Sequence, residues 1–212
     1  VYIMEEYVNG YVQTYDAIVN AQGEPLFESG NISPDSIMDI VNDNTDSRYY
    51  LVKELPDKIR EFGLKTVKSF GVKSRFIHLE FFVLTQDQEG LGKKGDVLGL
   101  EVNMRPAGGY TPDMYNYSQE TDVYKIWADM VCFNKNTKPI GNHHFCAFYG
   151  RRDGTYYKLD DYEVMMKYRE HMVMNGRIPD ALSGAMANQM YVATFDTQEE
   201  LDRFYSDMSE KF

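Results

Sequence analysis

Two segments rich in β-forming residues, 75–84 and 97–105, constrain the fold of this chain most strongly. Each contains branched and aromatic apolar residues interrupted by polar ones, a pattern typical of a half-buried strand. Between them lie three glycines, at positions 90, 92 and 95, which favour a reversal of the chain direction. The two segments therefore predict a β-hairpin.

The hairpin places polar side chains of its two strands beside each other. Because strand side chains alternate between the two faces of a sheet, Glu101, Asn103 and Arg105 share one face. If the hairpin is symmetric about its tip, Glu80 lies beside Glu101, and His78 lies beside Asn103. The sequence therefore predicts that two carboxylates and one amide converge, with His78 as a hydrogen-bonded neighbour of Asn103.

The converging carboxylates indicate a cation site. Two like charges at cross-strand distance repel, so the pair costs stability unless a cation lies between Glu80 and Glu101. Oxygen-only ligands, here including Asn103, favour Mg²⁺, which usually completes its shell with water and substrate phosphates. Arg105 follows on the same face and could neutralise a transferring phosphoryl group, while Gly108-Gly109 lets main-chain N–H groups approach the same anion.

The rest of the chain alternates predicted strands, turns and helices. Residues 2–7 and 12–19 predict strands separated by a turn at Asn9-Gly10, and Gln22-Gly23 predicts a second turn. Residues 31–46 are rich in Asp, Asn and Ser and predict a mobile surface loop with at most one helical turn, a candidate lid. Periodicity and capping predict further elements: helices at 57–70, 121–131 and 161–172 and from 197, strands at 145–150 and 191–195, and a turn at Asp153-Gly154.

Composition limits the class of protein. The chain has 212 residues with 22 Lys+Arg and 33 Asp+Glu, and its net charge of −11 argues against a nucleic-acid-binding surface. With 43% hydrophobic residues it can bury one sizeable core, and its apolar runs are too short to span a bilayer. These features predict a soluble, cytoplasmic protein with no membrane partner. The two cysteines, Cys132 and Cys146, lack the spacing of a zinc or redox site and predict reduced core thiols.

Several motifs together resemble the C-terminal half of an ATP-grasp ligase. They are the segment Met4–Gly10, the strand around Glu80 and the run Glu101–Tyr110, which occur in the family's order and rough spacing. The resemblance covers about residues 2–131 by motif and the remainder by general layout. That layout is similar to the amino-acid-ligase and carbamoyl-phosphate-synthase-like branches. The resemblance implies an α+β fold, mainly an antiparallel sheet flanked by helices.

The resemblance also implies roles for residues of the hairpin. Glu80, Glu101 and Asn103 match the family positions that bind magnesium, with two Mg²⁺ ions expected and Mn²⁺ able to substitute. Arg105 matches the arginine that stabilises the acyl-phosphate or its tetrahedral adduct. Gly108-Gly109 follows in the family's order, so these two glycines and Arg105 are the candidate catalytic residues.

The N-terminal segment carries the implied nucleotide contacts. The family strand that matches residues 3–8 is the hinge that meets adenine, so Glu5, Glu6 and Val8 are implied adenine contacts, largely through main-chain groups. Val12 stands where many members have an acidic residue that holds the ribose of ATP. The family's phosphate-binding lysines and glycine-rich loop lie on an N-terminal subdomain that would precede Val1.

The chain is accordingly expected to be one domain fragment whose parent protein has further N-terminal subdomains. Within it, residues 1–133 are expected to form the part that binds ATP and Mg²⁺, and residues 138–212 a C-terminal lobe. The implied function is an ATP- and Mg²⁺-dependent ligase that joins a small-molecule carboxylate to an amine through an acyl-phosphate. The fragment alone is expected to be inactive.

Two other functions stay open at this point. One is a nucleotide-binding or scaffold module that keeps the fold without turnover, and the other is an acidic interaction domain without a nucleotide. Two glutamates on paired strands can also form a solvated face with no metal. The sequence identifies neither the carboxylate, nor the amine, nor the oligomeric state.

Overall fold

A computed structural model describes residues 4–212, and within this range the chain forms nine strands and seven helices. The strands are β1 (Gly10–Val19), β2 (Pro25–Ser29), β3 (Asn31–Ser33), β4 (Ser47–Leu51), β5 (Arg75–Leu84), β6 (Val97–Asn103), β7 (Phe145–Arg151), β8 (Met172–Arg177) and β9 (Gln189–Phe195). The helices are α1 (Ile37–Asp43), α2 (Asp57–Ser69), α3 (Thr111–Ser118), α4 (Val123–Phe133), α5 (Asp161–Lys167), α6 (Asp180–Met186) and α7 (Gln198–Ser209).

All of these strands belong to one sheet. Their order is β6-β5-β1-β3-β4-β7-β9-β8, and β2 pairs with β1 beside this path. Every pairing is antiparallel. The sheet is flanked by helices, so the predicted α+β class is confirmed. The pairing of β4 with β7 carries the sheet across the boundary predicted between residues 133 and 138.

Helices cover both faces of the sheet because strand side chains alternate between them. One face buries Tyr15 and Leu79 against α2, and Tyr191 against α5 and α7. The opposite face buries Phe76 and Phe148 against α3 and α4. The site described below lies on this second face, where β1, β5 and β6 continue beyond the helices.

The hairpin of β5 and β6 has the predicted register at its polar positions. Glu80 pairs with Glu101, and His78 pairs with Asn103. A bulge directly after Glu80 shifts the register toward the tip, so the hairpin is not symmetric over its whole length. The strand β6 ends at Asn103, two residues earlier than predicted.

Several other predictions are confirmed closely. The helix α2 covers the predicted segment 57–70, and β7 and β9 cover the two predicted later strands. The helix α7 begins with the predicted capping box, in which the Thr197 hydroxyl accepts the Glu200 N–H at 3.3 Å. The Glu200 carboxylate in turn accepts the Thr197 N–H at 3.2 Å.

The prediction for the N-terminal segment is wrong where it can be assessed. Residues 2 and 3 of the predicted strand lie outside the described residues, and residues 4–9 form no strand. The predicted turn at Asn9-Gly10 is also wrong, because β1 begins at Gly10. Asn9 is held instead by the β5–β6 connection, where its N–H donates to Gln88 Oε1 at 3.0 Å and its carbonyl accepts the Thr85 N–H at 3.0 Å.

The predicted surface loop at 31–46 is ordered structure. It contains the strand β3, which was not predicted, and the helix α1, which has about two turns where at most one was predicted. The segment is tied down at its end, because the Asp46 carboxylate accepts the Tyr157 hydroxyl at 2.5 Å and the Tyr149 hydroxyl at 3.0 Å. Lys211 Nζ lies 3.1 Å from the same carboxylate.

Two helix predictions also need correction. The helix predicted at 161–172 ends at Lys167, and Met172 begins β8, because residues 172–177 pair with β9 and this pairing outweighs local helix propensity. The helix predicted at 121–131 begins at Val123 and ends at Phe133. Asp122 sets its start by accepting the Lys125 N–H at 3.0 Å. The short helix α3 was not predicted.

The cysteine prediction is half right, because Cys146 is buried in β7, whereas Cys132 is exposed on α4. Across residues 4–212, none of the helices has the length and apolar character needed to cross a membrane.

Candidate functional site

Polar side chains form two rows across three neighbouring strands, on the face that also carries α3 and α4. The registers of β1 with β5 and of β5 with β6 align one residue from each strand in each row. One row consists of Thr14, Glu80 and Glu101. The adjacent row consists of Asp16, His78 and Asn103. Residues placed opposite each other in antiparallel strands have adjacent side chains, so the rows form one polar surface.

Hydrogen bonds connect the buried part of this surface. Thr14 Oγ1 donates to Asp16 Oδ2 at 2.5 Å, and Asp16 Oδ1 lies 2.5 Å from His78 Nδ1. The other ring nitrogen of His78, Nε2, lies 3.0 Å from Glu80 Oε1. Asp16 is fully buried and His78 is 8% exposed. His78 therefore bridges a buried carboxylate and the carboxylate of Glu80, and the predicted contact of its side chain with Asn103 is replaced by these two.

The surroundings of His78 favour its charged form. Burial alone would lower its pKa, but the negative charge of Asp16 and the hydrogen bonds to Asp16 and Glu80 outweigh burial and raise the pKa to about 10. The ring is therefore an imidazolium at neutral pH, with one N–H directed to each carboxylate. This fixes the orientation of Glu80 from one side.

Glu80 stays ionised for the same reason. The hydrogen bond from His78 lowers its pKa, burial acts in the opposite direction, and the positive charges of His78 and Arg105 lower the pKa further. Arg105 is thus close enough to Glu80 to influence its ionisation. Glu80 is half-buried, so it offers an ionised carboxylate at the edge of the solvent-accessible surface.

Glu101 and Asn103 complete the predicted ligand set on the edge strand β6. Glu101 is exposed, and Asn103 Nδ2 donates to its Oε2 at 2.9 Å. Among residues 4–212, no group of three or more His, Cys, Asp and Glu side chains is arranged to hold a metal ion. A cation here would therefore use the two carboxylates of Glu80 and Glu101 with the amide oxygen of Asn103. This all-oxygen donor set fits Mg²⁺.

Arg105, Gly108 and Gly109 follow β6 in the connection to α3. Arg105 is exposed, and its Nη1 donates to the Pro106 carbonyl at 2.9 Å. Gly109 has φ +60°, and a Cβ on it would lie 2.9 Å from the end of the Met186 side chain in α6. Glycine at this position lets the connection approach α6 closely.

A cleft of about 600 Å³, here named the central cleft, opens beside these rows. Its floor includes Val12, His78 and Glu80, and its walls come from α1, α6 and Gly108-Gly109. Val12 therefore faces the cleft as an apolar residue. Glu101, Asn103 and Arg105 lie beyond the lining, on or just after the adjacent strand β6. The structure thus brings Glu80, Glu101 and Asn103 together at one margin of the cleft.

The segment with the predicted adenine contacts lies apart from this margin. Glu5 and Glu6 are exposed and Val8 is half-buried. The lining of the cleft begins at Gly10, so none of these three residues forms part of its walls. Their role in adenine binding stays a prediction.

Sequence reasoning missed Thr14 and Asp16. A signal for them was present, because they occupy alternate positions of an otherwise largely apolar strand and must share a face. The sequence did not predict the pairing of β1 with β5, which places Asp16 beside His78.

No protein-family model matches the sequence, and no curated protein matches it. Solved structures do match the fold. Phosphoribosylglycinamide synthetase from Anaerococcus prevotii superimposes with a TM-score of 0.60 at 13% identity, covering 95% of this chain and 53% of that one. The ATPase subunit of phosphoribosylaminoimidazole carboxylase from Aquifex aeolicus has a TM-score of 0.63 at 12% identity, with 96% and 60% covered.

A third match is the biotin carboxylase domain of 2-oxoglutarate carboxylase from Hydrogenobacter thermophilus. It has a TM-score of 0.57 at 11% identity and covers 96% of this chain and 46% of that domain. The chain therefore spans about half the length of these structures. Sequence identities this low establish the fold alone. The chain therefore has an ATP-grasp fold over about half the length of these structures.

Proposed function

We propose that this chain is the C-terminal part of an ATP- and Mg²⁺-dependent ligase that joins a carboxylate to an amine through an acyl-phosphate. The observation that carries the proposal is the pairing of Glu80 with Glu101, beside Asn103, at the margin of a cleft in an ATP-grasp fold. One of the similar structures was determined with MgADP and bicarbonate, which supports the same ligands here. The substrates are proposed to be small molecules, and the location cytoplasmic.

Each residue at the margin has a proposed role. Glu80, Glu101 and Asn103 would hold Mg²⁺, or Mn²⁺ in its place, and the ion would neutralise charge on the phosphates of ATP. His78 holds Glu80 in position by a hydrogen bond at 3.0 Å, so the ligand is oriented before a metal arrives. This arrangement suits phosphoryl transfer, in which positioning and charge neutralisation supply most of the catalysis.

The residues after β6 and before β1 have the remaining roles. Arg105 would bind the carboxylate or the acyl-phosphate with its planar guanidinium, and main-chain N–H groups of Gly108 and Gly109 would support the same anion. Glu5, Glu6 and Val8 would contact adenine through main-chain groups. The part that binds ATP and Mg²⁺ is proposed to be residues 1–133, with residues 138–212 as a C-terminal lobe of the same domain.

Ligand-dependent stability tests this proposal. A non-hydrolysable ATP analogue with Mg²⁺ should raise the thermal midpoint of the chain, because a ligand that binds only the native state stabilises it. At about a hundred times the dissociation constant the rise should be about 5 to 10 °C. The analogue without Mg²⁺ should have a much smaller effect.

Matched variants locate the effect. Glu101→Gln keeps the shape of the side chain but removes its charge, and it should abolish the Mg²⁺-dependent rise. Glu170→Gln makes the same change at an exposed residue whose side chain is 79% accessible, and it should leave the rise intact. An equal rise in Glu101→Gln and the unchanged chain would contradict the metal assignment.

A second assay separates a ligase from a module that binds nucleotide without turnover. The protein as it occurs in the cell is incubated with ATP, Mg²⁺, candidate carboxylates and hydroxylamine, which captures an acyl-phosphate as a hydroxamate. A ligase releases ADP and forms hydroxamate in equal amounts. Nucleotide binding with no ADP release for any carboxylate would favour the non-catalytic module.

A further inference from the structure

A second cavity of about 680 Å³ lies outside the central cleft, and we name it the aromatic cavity. It opens between the first residues of β5, the connection after β6, and the helices α3 and α4. Its walls are mostly large apolar side chains, namely Phe76, Met104, Pro106, Pro112, Tyr124 and Trp127. A volume of this size suits a small organic ligand.

Two arginines also line the aromatic cavity. Arg75 and Arg105 are both exposed, and within residues 4–212 neither guanidinium lies within 4 Å of a carboxylate. Arg105 donates to the Pro106 carbonyl at 2.9 Å, and Arg75 is 3.4 Å from the Met104 carbonyl. These contacts leave most of the donors of each guanidinium available.

Within residues 4–212, Arg75 and Arg105 share this lack of a carboxylate partner with Arg151, Arg152 and Arg203, but of these five only Arg75 and Arg105 line the aromatic cavity. By contrast, the guanidinium of Arg48 lies 2.7 Å from Asp35, and that of Arg60 lies 3.4 Å from Glu28. Two arginines beside an apolar cavity fit a ligand that brings its own negative charge. A planar guanidinium binds a carboxylate through two parallel hydrogen bonds.

The aromatic side chains specify the rest of the ligand. Trp127 and Phe76 have ring centroids 6.5 Å apart, and Trp127 is 38% exposed, so one ring lies against the core while the other is open to a ligand. Tyr124 is 55% exposed on the same helix. Such rings bind a flat apolar group by stacking and by excluding water.

We propose that the aromatic cavity binds the carboxylate substrate, and that this substrate has an aromatic or similarly large apolar body. The inference rests on the proposed ligase function and names its substrate class. Arg105 connects the cavity to the reaction, because it lines the cavity and lies two residues after Asn103, one of the proposed metal ligands. A carboxylate bound by Arg105 therefore lies beside the proposed metal ligands.

Calorimetric titration of the chain with 3-phenylpropionate and with indole-3-propionate tests the inference. At least one of them should bind with a stoichiometry of one. Trp127 is the single tryptophan of the sequence, so binding of 3-phenylpropionate at this site should also change its fluorescence. The alcohol 3-phenylpropanol has the same body without the charge, and acetate has the charge without the body. Both should bind at least about tenfold more weakly.

Substitutions test the residues separately. Arg75→Gln and Arg105→Gln should each weaken binding about tenfold, whereas Arg169→Gln removes an exposed guanidinium elsewhere and should leave binding unchanged. Trp127→Ala should weaken binding by a similar factor, with a thermal midpoint measured to establish that the variant is folded. No saturable binding of either acid, or equal binding of the alcohol, would overturn the proposal. Equal binding of the alcohol would indicate an apolar surface for another protein segment.

This titration contains no nucleotide, so its outcome does not depend on the outcome of the tests of the proposed function. If the acids bind but the protein as it occurs in the cell releases no ADP with any carboxylate, the ligase function fails and the cavity is not a substrate site. If the ATP analogue stabilises the chain but neither acid binds, the ligase function stands and the inferred substrate class is wrong.

Discussion

His78 lies between two carboxylates that would otherwise repel each other. Asp16 is fully buried, and its charge is compensated by the imidazolium of His78 and by the hydroxyl of Thr14. Glu80 lies on the other side of the ring, 3.0 Å from Nε2. A single buried residue thus lets a negatively charged side chain point into the margin of the cleft at low cost.

The ionisation of His78 predicts how stability depends on pH. Its pKa is about 10 in the folded chain and 6.5 in a model peptide, so the folded chain retains a proton that the unfolded chain releases. The stabilisation is fully present below pH 6.5 and is lost as the pH rises toward 10. Between pH 7 and 9 the free energy of unfolding should fall by about 1.4 kcal/mol per pH unit more than in His78→Gln.

Urea denaturation in the presence of a chelator measures this difference. His143→Gln is a matched control, because Nδ1 of His143 contacts the Lys53 carbonyl at 3.1 Å rather than a carboxylate. The control should follow the pH dependence of the unchanged chain. Parallel curves for the unchanged chain and His78→Gln would show that His78 does not hold the extra proton.

At the scale of elements, Arg152 joins α6 to the chain just after α1. This buried side chain donates from Nε to the Thr45 carbonyl at 2.7 Å, just after α1. It also donates to the carbonyls of Ser183 at 2.5 Å and Gly184 at 2.8 Å, both in α6. Because both helices form walls of the central cleft, Arg152 sets the distance between them.

The close approach of α6 to β7 predicts the effect of a single methyl group. A Cβ on Gly150 would lie 2.1 Å from the Met186 carbonyl oxygen, a main-chain atom that cannot rotate away. Gly150→Ala should therefore destabilise the chain by about 1–3 kcal/mol, measured by chemical denaturation.

Gly184, which lies in α6, provides the contrast to Gly150 in β7. A Cβ there meets nothing within 4 Å, so Gly184→Ala should be neutral or stabilise the chain by up to about 1 kcal/mol. Equal stability of the two variants would mean that α6 moves freely on β7. A displaced α6 should in addition alter the binding of the ATP analogue in Gly150→Ala.

At the scale of the whole molecule, one of the three hydrophobic clusters within residues 4–212 joins both parts of the chain. Phe27 and Tyr115 from the first part pack in the same cluster as Cys146, Phe148 and Val192 from the second part. The sheet also continues from β4 to β7 through five residue pairs. The parts at 1–133 and 138–212 thus share this cluster, and each also has a buried cluster of its own, around Tyr15 and Leu79 in the first part and around Tyr191 and Phe204 in the second.

This shared cluster predicts that the first part does not fold alone. A chain of residues 1–137 should lack a cooperative thermal transition and the near-ultraviolet circular dichroism of packed aromatic rings, because its half of the cluster is exposed. Mixing it with residues 138–212 should restore both signals, since the missing contacts are noncovalent. A cooperative transition in residues 1–137 alone would show two independent folding units.

The agreement between sequence and structure follows the range of the interactions involved. The helix α2, the strands β5 and β7 and the cap of α7 depend on local periodicity and capping, and the sequence predicted them well. The helix α1 and the strand β8 depend on partners far along the chain. The sequence predicted at most one helical turn for α1 and no strand at the position of β8. Residues 172–177 contain methionines that suit a helix locally, yet pairing with β9 makes them a strand.

The sequence alone determined the hairpin, the opposition of Glu80 and Glu101, and the motif order typical of the ATP-grasp fold, because side-chain alternation with one buried face leaves few registers. Only the tertiary structure decided that Asp16 lies beside His78, that Arg152 joins α6 to the chain just after α1, and that Arg75 and Arg105 line one aromatic cavity. These contacts bring together residues from separate elements. Burial and strand order set them, and neither is encoded in the spacing of any single segment.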